Sequence, residues 1–266
     1  MQSKFEMSTI GELSYFLGLQ IIPKSEGLCV SQEKYLKEIL KKFQMEDSSL
    51  VSTPMIVGCK LSKDDISPDV DQRTYRSMIG SLLYITATRP DIMHVVGMVG
   101  RFQSAPKQSH LVAVKRIFKY LKGTMTYGLW YPRNQNFQLK AYSDADWENC
   151  VDERKSTSGG TFFLGDSLVA WMSKKQGSIS LSTTKAEYIA AATCCTQVLW
   201  MIQTLPNLDV KYSEPIPIYC DNTSAISVSK NPILHSKNKH IPIKYHFIRE
   251  QVSNKVVQLN FIPSME

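Results

Sequence analysis

The stretch Phe137-Gln138-Leu139-Lys140-Ala141-Tyr142-Ser143-Asp144 alternates apolar and polar side chains, and Ala145-Asp146-Trp147 follows it. Alternation of this kind is typical of a β-strand that buries one face. The predicted strand ends on an acidic residue, Asp144, which would therefore emerge at one edge of a sheet. The neighbouring elements decide which other side chains meet this carboxylate.

The residues that follow predict the rest of an α/β domain. The turn Gly165-Asp166-Ser167 joins two further strands as a hairpin, and a later apolar strand ends in Asp221. The predicted order is three strands, a helix, a strand, helices and a last strand. This order is typical of an α/β domain. Strands are predicted at 160–164, 168–172, 217–220 and 256–262, and helices at 184–205, 223–229 and 245–252.

The first half of the chain is predicted to contain two short strands followed by several helices. An apolar stretch, Leu13–Ile22, is predicted to form one strand that Pro23 stops, and it pairs with a second strand, Leu28–Val30. Ser31 is predicted to cap the helix that follows. Further helices are predicted at 75–86, 89–102 and 110–122. We place the domain boundary at residues 131 and 132, which gives domains 1–131 and 132–266.

Composition narrows the class of protein. The chain has 266 residues, 43% hydrophobic and 21% charged, with a net charge of +7, which indicates a globular chain of two modest domains and excludes collagen, coiled coil and wholesale disorder. No apolar run reaches the roughly 20 residues of a bilayer span, so no membrane partner is expected. The first residues lack the pattern of a secretory signal, which predicts an intracellular protein, in cytoplasm or nucleus and not secreted.

Positive charge is concentrated in the middle of the chain. Between Arg101 and Tyr142 there is no acidic residue, which favours a polyanionic partner. A solvated helix face with loop lysines is the alternative interpretation. The candidate nucleic-acid-binding residues are Lys107, Lys115, Arg116, Lys119 and Lys122.

Three carboxylates are candidates for a metal site. Asp144 and Asp221 end strands that meet at one sheet edge if they are neighbours, and Glu187 lies in the first turns of the long helix. Clustered carboxylates repel one another, and a divalent cation such as Mg²⁺ is the physical reason to assemble them. Each residue alone has a structural alternative, since Asp often serves in turns and Glu187 could close a capping box with Thr184.

Six longer motifs resemble a known family. Nearly the whole chain is similar to the C-terminal part of the Pol polyprotein of copia-type LTR retrotransposons, which comprises the end of the reverse transcriptase region and the ribonuclease H domain. The motifs are Ile10–Leu19, Tyr75–Tyr84, Thr88–Asp91, Arg154–Gly159, Trp171–Gln176 and Leu181–Tyr188.

The resemblance implies a ribonuclease H-like mixed five-stranded sheet flanked by helices, preceded by a smaller α+β reverse transcriptase thumb and connection region. It implies that Asp144, Glu187 and Asp221 are catalytic and bind Mg²⁺, or Mn²⁺, and that the substrate is an RNA–DNA hybrid. The partner in an intact polyprotein would be the upstream polymerase region, whose active-site carboxylates precede this chain. No polymerase activity is therefore expected from it.

Some residues depart from the family pattern. A fourth carboxylate is expected just beyond Glu266, Lys185 replaces a common Glu that would help to cap the long helix, and Pro242 replaces a common Asp. Asp146 is a weaker candidate that is expected to point to the other side of the strand. The histidines His235, His240 and His246 are interpreted as surface or packing residues. An alternative function is therefore a catalytically defective remnant that at most binds nucleic acid.

Overall fold

The computed structural model describes residues 13–133, 136–150, 152–230 and 241–263, apart from the side chains of residues 148 and 149. The first half forms a four-stranded antiparallel sheet in the order β1-β2-β3-β4 beside a helical core. Its elements are β1 Tyr15–Phe16, β2 Leu19–Lys24, β3 Gly27–Ser31, α1 Glu33–Lys42, α2 Gln72–Ile85, α3 Met93–Val99, α4 Gln108–Gly123 and β4 Leu129–Pro132.

Three predictions for the first half are wrong in detail. The expected single strand Leu13–Ile22 is broken by a turn, because Leu17 and Gly18 have positive φ angles of 49° and 78°. Pro23 lies inside β2 and pairs with Leu28. This position is tolerated because β1 has already ended, so among the described residues no strand pairs with Pro23 on that side of β2. The N-cap of α1 is Gln32, and Ser31 is the last residue of β3.

The second half contains a five-stranded mixed sheet in the order β7-β6-β5-β8-β9. The first three strands are antiparallel, whereas β8 is parallel to both β5 and β9. This α/β arrangement confirms the predicted fold class. Its elements are β5 Leu139–Cys150, β6 Lys155–Leu164, β7 Ser167–Lys175, α5 Thr183–Thr204, β8 Ile216–Cys220, α6 Thr223–Lys230, α7 Phe247–Ser253 and β9 Val257–Phe261.

Helix α5 is the central helix of this core. Its small residues pack against β5, β6 and β8, and Tyr188 and Ala191 are fully buried. Among the described residues, one helical stretch, Thr183–Leu208, is apolar and long enough to cross a membrane, and 56% of its apolar window is buried inside the protein. Packing on the sheet accounts for this composition, since a helix that is apolar all round is typical of a protein core.

The two halves meet on the face of the sheet opposite α5. Helix α3 lies against β7, and the indole N–H of Trp171 donates to the carbonyl of Thr86 at 3.0 Å. The guanidinium of Arg101 donates to the hydroxyl of Thr157 at 2.9 Å. Each half has its own hydrophobic core, and the division at residues 131 and 132 stays a prediction.

Candidate metal centre

Parallel pairing brings two acidic residues to one level of the sheet. In the register of β5 and β8, Tyr142 pairs with Tyr219, and their rings stack with centroids 4.9 Å apart. Asp144 and Asp221 each follow two residues after these tyrosines. The strand β5 continues beyond Asp144 to Cys150, so the prediction that Asp144 ends its strand is wrong. The aspartate instead lies where the neighbouring strand β8 stops.

Glu187 reaches the same region from α5. Its Oε1 accepts a hydrogen bond from the backbone N–H of Ala145 at 3.1 Å, whereas its Oε2 is buried and has no hydrogen-bond partner among the described residues. The residue is 6% exposed. Burial first, and the charges of Asp144 and Asp221 second, raise the pKa of Glu187 to about 8.

Two acidic residues and one cysteine lie near Glu187. Ligand atoms of Glu187, Cys220 and Asp221 all lie within 4.8 Å of one another. Burial raises the pKa of the Cys220 thiol to about 11, which keeps it protonated near neutral pH. Asp144 lies outside this group of three, and its pKa is raised by partial desolvation first and by Asp221 second. The site therefore offers carboxylate oxygens rather than a thiolate.

This donor set fits a hard divalent cation. Among the described residues, neither Asp144 nor Glu187 forms an ion pair with Lys or Arg. A buried carboxylate oxygen without a partner, next to two further carboxylates, is costly unless a cation joins them. Magnesium and manganese prefer such oxygen ligands. Of the three residues that the sequence selected, Glu187 and Asp221 have carboxylate oxygens within 4.8 Å of each other, and Asp144 lies close enough to raise the pKa of Glu187.

A cavity of about 620 Å³ opens beside Asp144 on the face of the sheet away from α5. Asp146 lines it as well, because alternate residues of a strand face the same side. The expectation that Asp146 points to the other side of the strand is therefore wrong. Its carboxylate also raises the pKa of Asp144. Trp147 and Trp171 form part of the cavity wall.

A buried polar network supports the start of α5. The side chain of Gln176, 4% exposed, donates to the hydroxyl of Ser158 at 3.0 Å and to the carbonyl of Ala186 at 2.9 Å. The hydroxyl of Ser180 donates to its Oε1 at 3.0 Å. Sequence reasoning did not assign a role to Gln176, although it closes the motif Trp171–Gln176. Its contacts fix the helix turn from which Glu187 projects.

The substitutions at 185 and 242 are accommodated. Ser182 still caps α5 by accepting from the backbone N–H of Lys185 at 3.2 Å, whereas a Lys side chain cannot accept the reciprocal bond from the Ser182 N–H that a Glu would accept. The Lys185 ammonium donates to the carbonyl of Ile179 at 2.9 Å. Pro242 precedes a short 3₁₀ turn, Ile243–Tyr245, where its fixed φ is tolerated.

The predicted nucleic-acid-binding residues lie elsewhere. Lys107 pairs with Asp69 at 2.8 Å, Arg116 donates to the Thr53 hydroxyl at 2.9 Å, and Lys122 donates to the Ser48 carbonyl at 2.7 Å. Lys115 is exposed on α4, and Lys119 lines an apolar cavity with Arg116. None of the five lines the cavity at Asp144. Nucleic-acid binding by this helix stays a prediction.

Of the histidines, His246 lies with its Nδ1 3.2 Å from the Tyr188 hydroxyl oxygen, which agrees with a packing role. His235, His240 and Glu266 lie outside the described residues. Sequence reasoning missed His94, which reaches the carboxylate cavity from α3. No local sequence signal marks such a long-range contact.

Comparison with known proteins matches this chain to a reverse transcriptase family model and to retrovirus-related Pol polyproteins. The family model described as reverse transcriptase (RNA-dependent DNA polymerase) matches residues 1–57. The chain is 38% identical over 259 residues to the retrovirus-related Pol polyprotein from transposon RE1 of Arabidopsis thaliana, covering 97% of this chain and 18% of that relative. It is 38% identical over 275 residues to the corresponding polyprotein from transposon TNT 1-94 of Nicotiana tabacum, covering 100% and 21%.

A shorter relative is matched over most of its length. The chain is 36% identical over 200 residues to an uncharacterized mitochondrial protein of Arabidopsis thaliana, covering 75% of this chain and 83% of that protein. Among solved structures, the N-terminal RNase H domain of a Mycobacterium tuberculosis protein aligns with 9% identity and a TM-score of 0.32, over 49% of this chain and 85% of that chain. The chain spans about a fifth of the length of the curated polyproteins it matches.

Proposed function

The chain belongs to the family of retrovirus-related Pol polyproteins from copia-type transposons, and from that premise we propose that its C-terminal α/β half is a divalent-cation-dependent ribonuclease H. The substrate class is an RNA–DNA hybrid, of which the RNA strand is hydrolysed. The mixed sheet with α5 across it supports this assignment. The single observation that carries it is the buried Oε2 of Glu187, which has no hydrogen-bond partner among the described residues and lies beside two further carboxylates.

Three side chains would hold the cation. Asp144 and Asp221 present carboxylates from neighbouring parallel strands, and Glu187 presents one from the helix above them. The hydrogen bond from Ala145 fixes one oxygen of Glu187 and leaves the other available. When bound, Mg²⁺ or Mn²⁺ supplies Lewis-acid activation of water and charge stabilisation at a phosphodiester.

The chain's own residues prepare the site for this chemistry. The network around Gln176 holds the start of α5 against β6 and sets the position of Glu187. The close pairing of β5 and β8 does the same for Asp144 and Asp221. Pre-organised carboxylates of this kind need no rearrangement when a cation binds, which is the principal way a protein stabilises developing charge.

The biological setting is part of the same proposal. The partners are the RNA–DNA hybrid and, in an intact polyprotein, the upstream polymerase region. Both point to an intracellular site of action, in cytoplasm or nucleus. The protein's net charge of +7 favours association with a polyanion.

Cleavage of a labelled RNA–DNA hybrid tests the proposal. We expect cleavage that requires Mg²⁺ or Mn²⁺ and that falls at least about a hundredfold in Asp144→Asn. The matched control is Asp166→Asn, which makes the same change at an aspartate in the β6–β7 turn with 86% of its side chain exposed. Equal cleavage by both variants would contradict the assignment of the site.

A second candidate function is nucleic-acid binding without cleavage. The exposed Lys115 and the absence of acidic residues between 101 and 142 favour it. Its prediction is retention of hybrid in a binding assay, with a steep decrease as salt rises and with no cleavage in either metal. Substitution of Lys115 would then weaken retention while Asp144→Asn would not.

A further inference from the structure

One wall of the carboxylate cavity comes from the first half of the chain. Pro90, Met93 and His94 line it opposite Asp144 and Asp146 on β5. His94 is the second residue of α3, and α3 lies against β7. The cavity is therefore composite, and its geometry depends on how the first half packs on the sheet.

His94 bridges two side chains of the sheet. Its Nε2 lies 3.4 Å from Oδ2 of Asp146, and its Nδ1 lies 3.2 Å from the hydroxyl oxygen of Ser173 on β7. Both ring nitrogens are thus engaged at once, which fixes the plane of the ring. The side chain of His94 is 38% exposed and that of Asp146 is 39% exposed. The contact therefore lies at the mouth of the cavity and contributes little to folding.

We propose that His94 is a positioning residue of the cation site, contributed by the first half of the chain, and that it acts by holding the carboxylate of Asp146 toward Asp144. This inference rests on the proposed function. The Ser173 hydroxyl contacts the ring nitrogen of His94 that does not face Asp146. Ser173, His94 and Asp146 therefore form one chain of contacts at the cavity. Asp146 adds negative charge next to Asp144, and its orientation sets how much of that charge a cation experiences.

Loss of His94 should weaken cation binding for a reason that applies to metal sites in general. Groups that orient the side chains around a cation tune its affinity, and their loss typically lowers affinity about 10- to 100-fold. Without His94, the Asp146 side chain loses the contact that holds its carboxylate at the cavity. The cation site would keep the carboxylates of Asp144, Glu187 and Asp221 and lose the fixed orientation of a fourth negative charge.

The test measures Mn²⁺ binding to the full chain by the decrease of the free-ion EPR signal, with no nucleic acid present. We expect His94→Ala to weaken Mn²⁺ binding about tenfold. Ser173→Ala should weaken it less, and His94→Gln, whose amide N–H can still donate to Asp146, should recover part of the loss. In the Asp146→Asn background, His94→Ala should have no further effect, because the residue acts through that carboxylate.

Arg101→Ala is the matched control for loosening of the contact between the two halves. It removes another hydrogen bond from the first half to the same sheet face, at Thr157, and should leave Mn²⁺ binding within about twofold. Equal or tighter binding in His94→Ala, additive losses with Asp146→Asn, or an equal loss in Arg101→Ala would each overturn the role of His94 while leaving the proposed function intact. Absence of Mn²⁺ binding by the parent chain would overturn the cation site itself, and the role of His94 with it.

Discussion

The backbone N–H of Ala145 donates a hydrogen bond to Oε1 of Glu187, 3.1 Å away, and so ties α5 to the strand that carries Asp144. Small residues make this approach possible, since Ala145 packs directly against Ala186 and Ala190 of the helix. A larger side chain at any of these positions would push the helix away from the sheet. The distance between the carboxylates is thus set by alanine packing.

The cluster should cost stability when no cation is present. Glu187→Gln removes a buried charge while keeping the shape of the side chain and an acceptor for the Ala145 N–H. We expect the metal-free variant to be more stable than the parent by about 1–2 kcal/mol above pH 8, because a buried unpaired charge costs more than a buried amide. Urea unfolding in EDTA measures this difference. A less stable variant would show that the carboxylate is already satisfied in the metal-free protein.

Stability should also depend on pH through the same residue. The pKa of Glu187 is raised from 4.5 to about 8 by burial and by its acidic neighbours. Below pH 4.5 the group is protonated in the folded and unfolded states alike. Between pH 4.5 and 8 only the folded protein keeps the proton, so the free energy of unfolding falls as pH rises, and the loss is complete above that window.

Thermal unfolding across this window in EDTA tests the sign. In Glu187→Gln, the decrease of stability with rising pH should be smaller than in the parent. In Asp166→Asn, the decrease should be the same as in the parent. Saturating Mg²⁺ should stabilise the parent most at the alkaline end, because the cation binds the ionised form. A parent whose stability rises over the same range would contradict the assigned direction of the pKa shift.

Much of this architecture follows from local sequence patterns. Alternation placed β5, and three- and four-residue spacing placed α5, because both reflect which side chains must be buried. The pairing of β5 with β8 is a long-range contact that the order of elements left open, and it was expected from the resemblance to the ribonuclease H domain. The positions of Asp144, Glu187 and Asp221 followed from it.

Other features have no local signal. The contact of His94 with Asp146 depends on how α3 docks on the sheet, and the turn at Leu17 breaks a stretch whose composition is uniformly strand-like. The length of β5 beyond Asp144 was missed because the residues paired there are not apolar, as in the pairing of Asp146 with Thr157 of β6. Backbone pairing, rather than burial, extends the strand there.

The Gln176 network should be important for folding. Gln176→Ala leaves the hydroxyls of Ser158 and Ser180 and the carbonyl of Ala186 without this partner in a buried environment. We expect a loss of about 2–4 kcal/mol in the free energy of unfolding, because several buried polar groups lose hydrogen bonds at once. Gln258→Ala is the matched control, since the side chain of that exposed glutamine donates to the side chain of Asn260 within its own strand. Urea denaturation of both variants should separate them clearly, and equal stabilities would show that water replaces the amide of Gln176.

The cap of α5 offers the last test, because it separates helix stability from metal chemistry. The Ser182 hydroxyl accepts from the backbone N–H of Lys185, and the residue lies one turn before Glu187. We expect Ser182→Ala to lower the free energy of unfolding by about 1 kcal/mol, which is typical for loss of an N-cap. Ser182→Asp should restore it, since a carboxylate caps equally well and its charge suits a helix N-terminus. Cation affinity should change less than about twofold in both variants, because most of α5 is held by its packing on the sheet and not by its first turn. A large loss of Mn²⁺ binding in Ser182→Ala with no loss of stability would mean that this turn, rather than the packing of Ala186 and Ala190, positions Glu187.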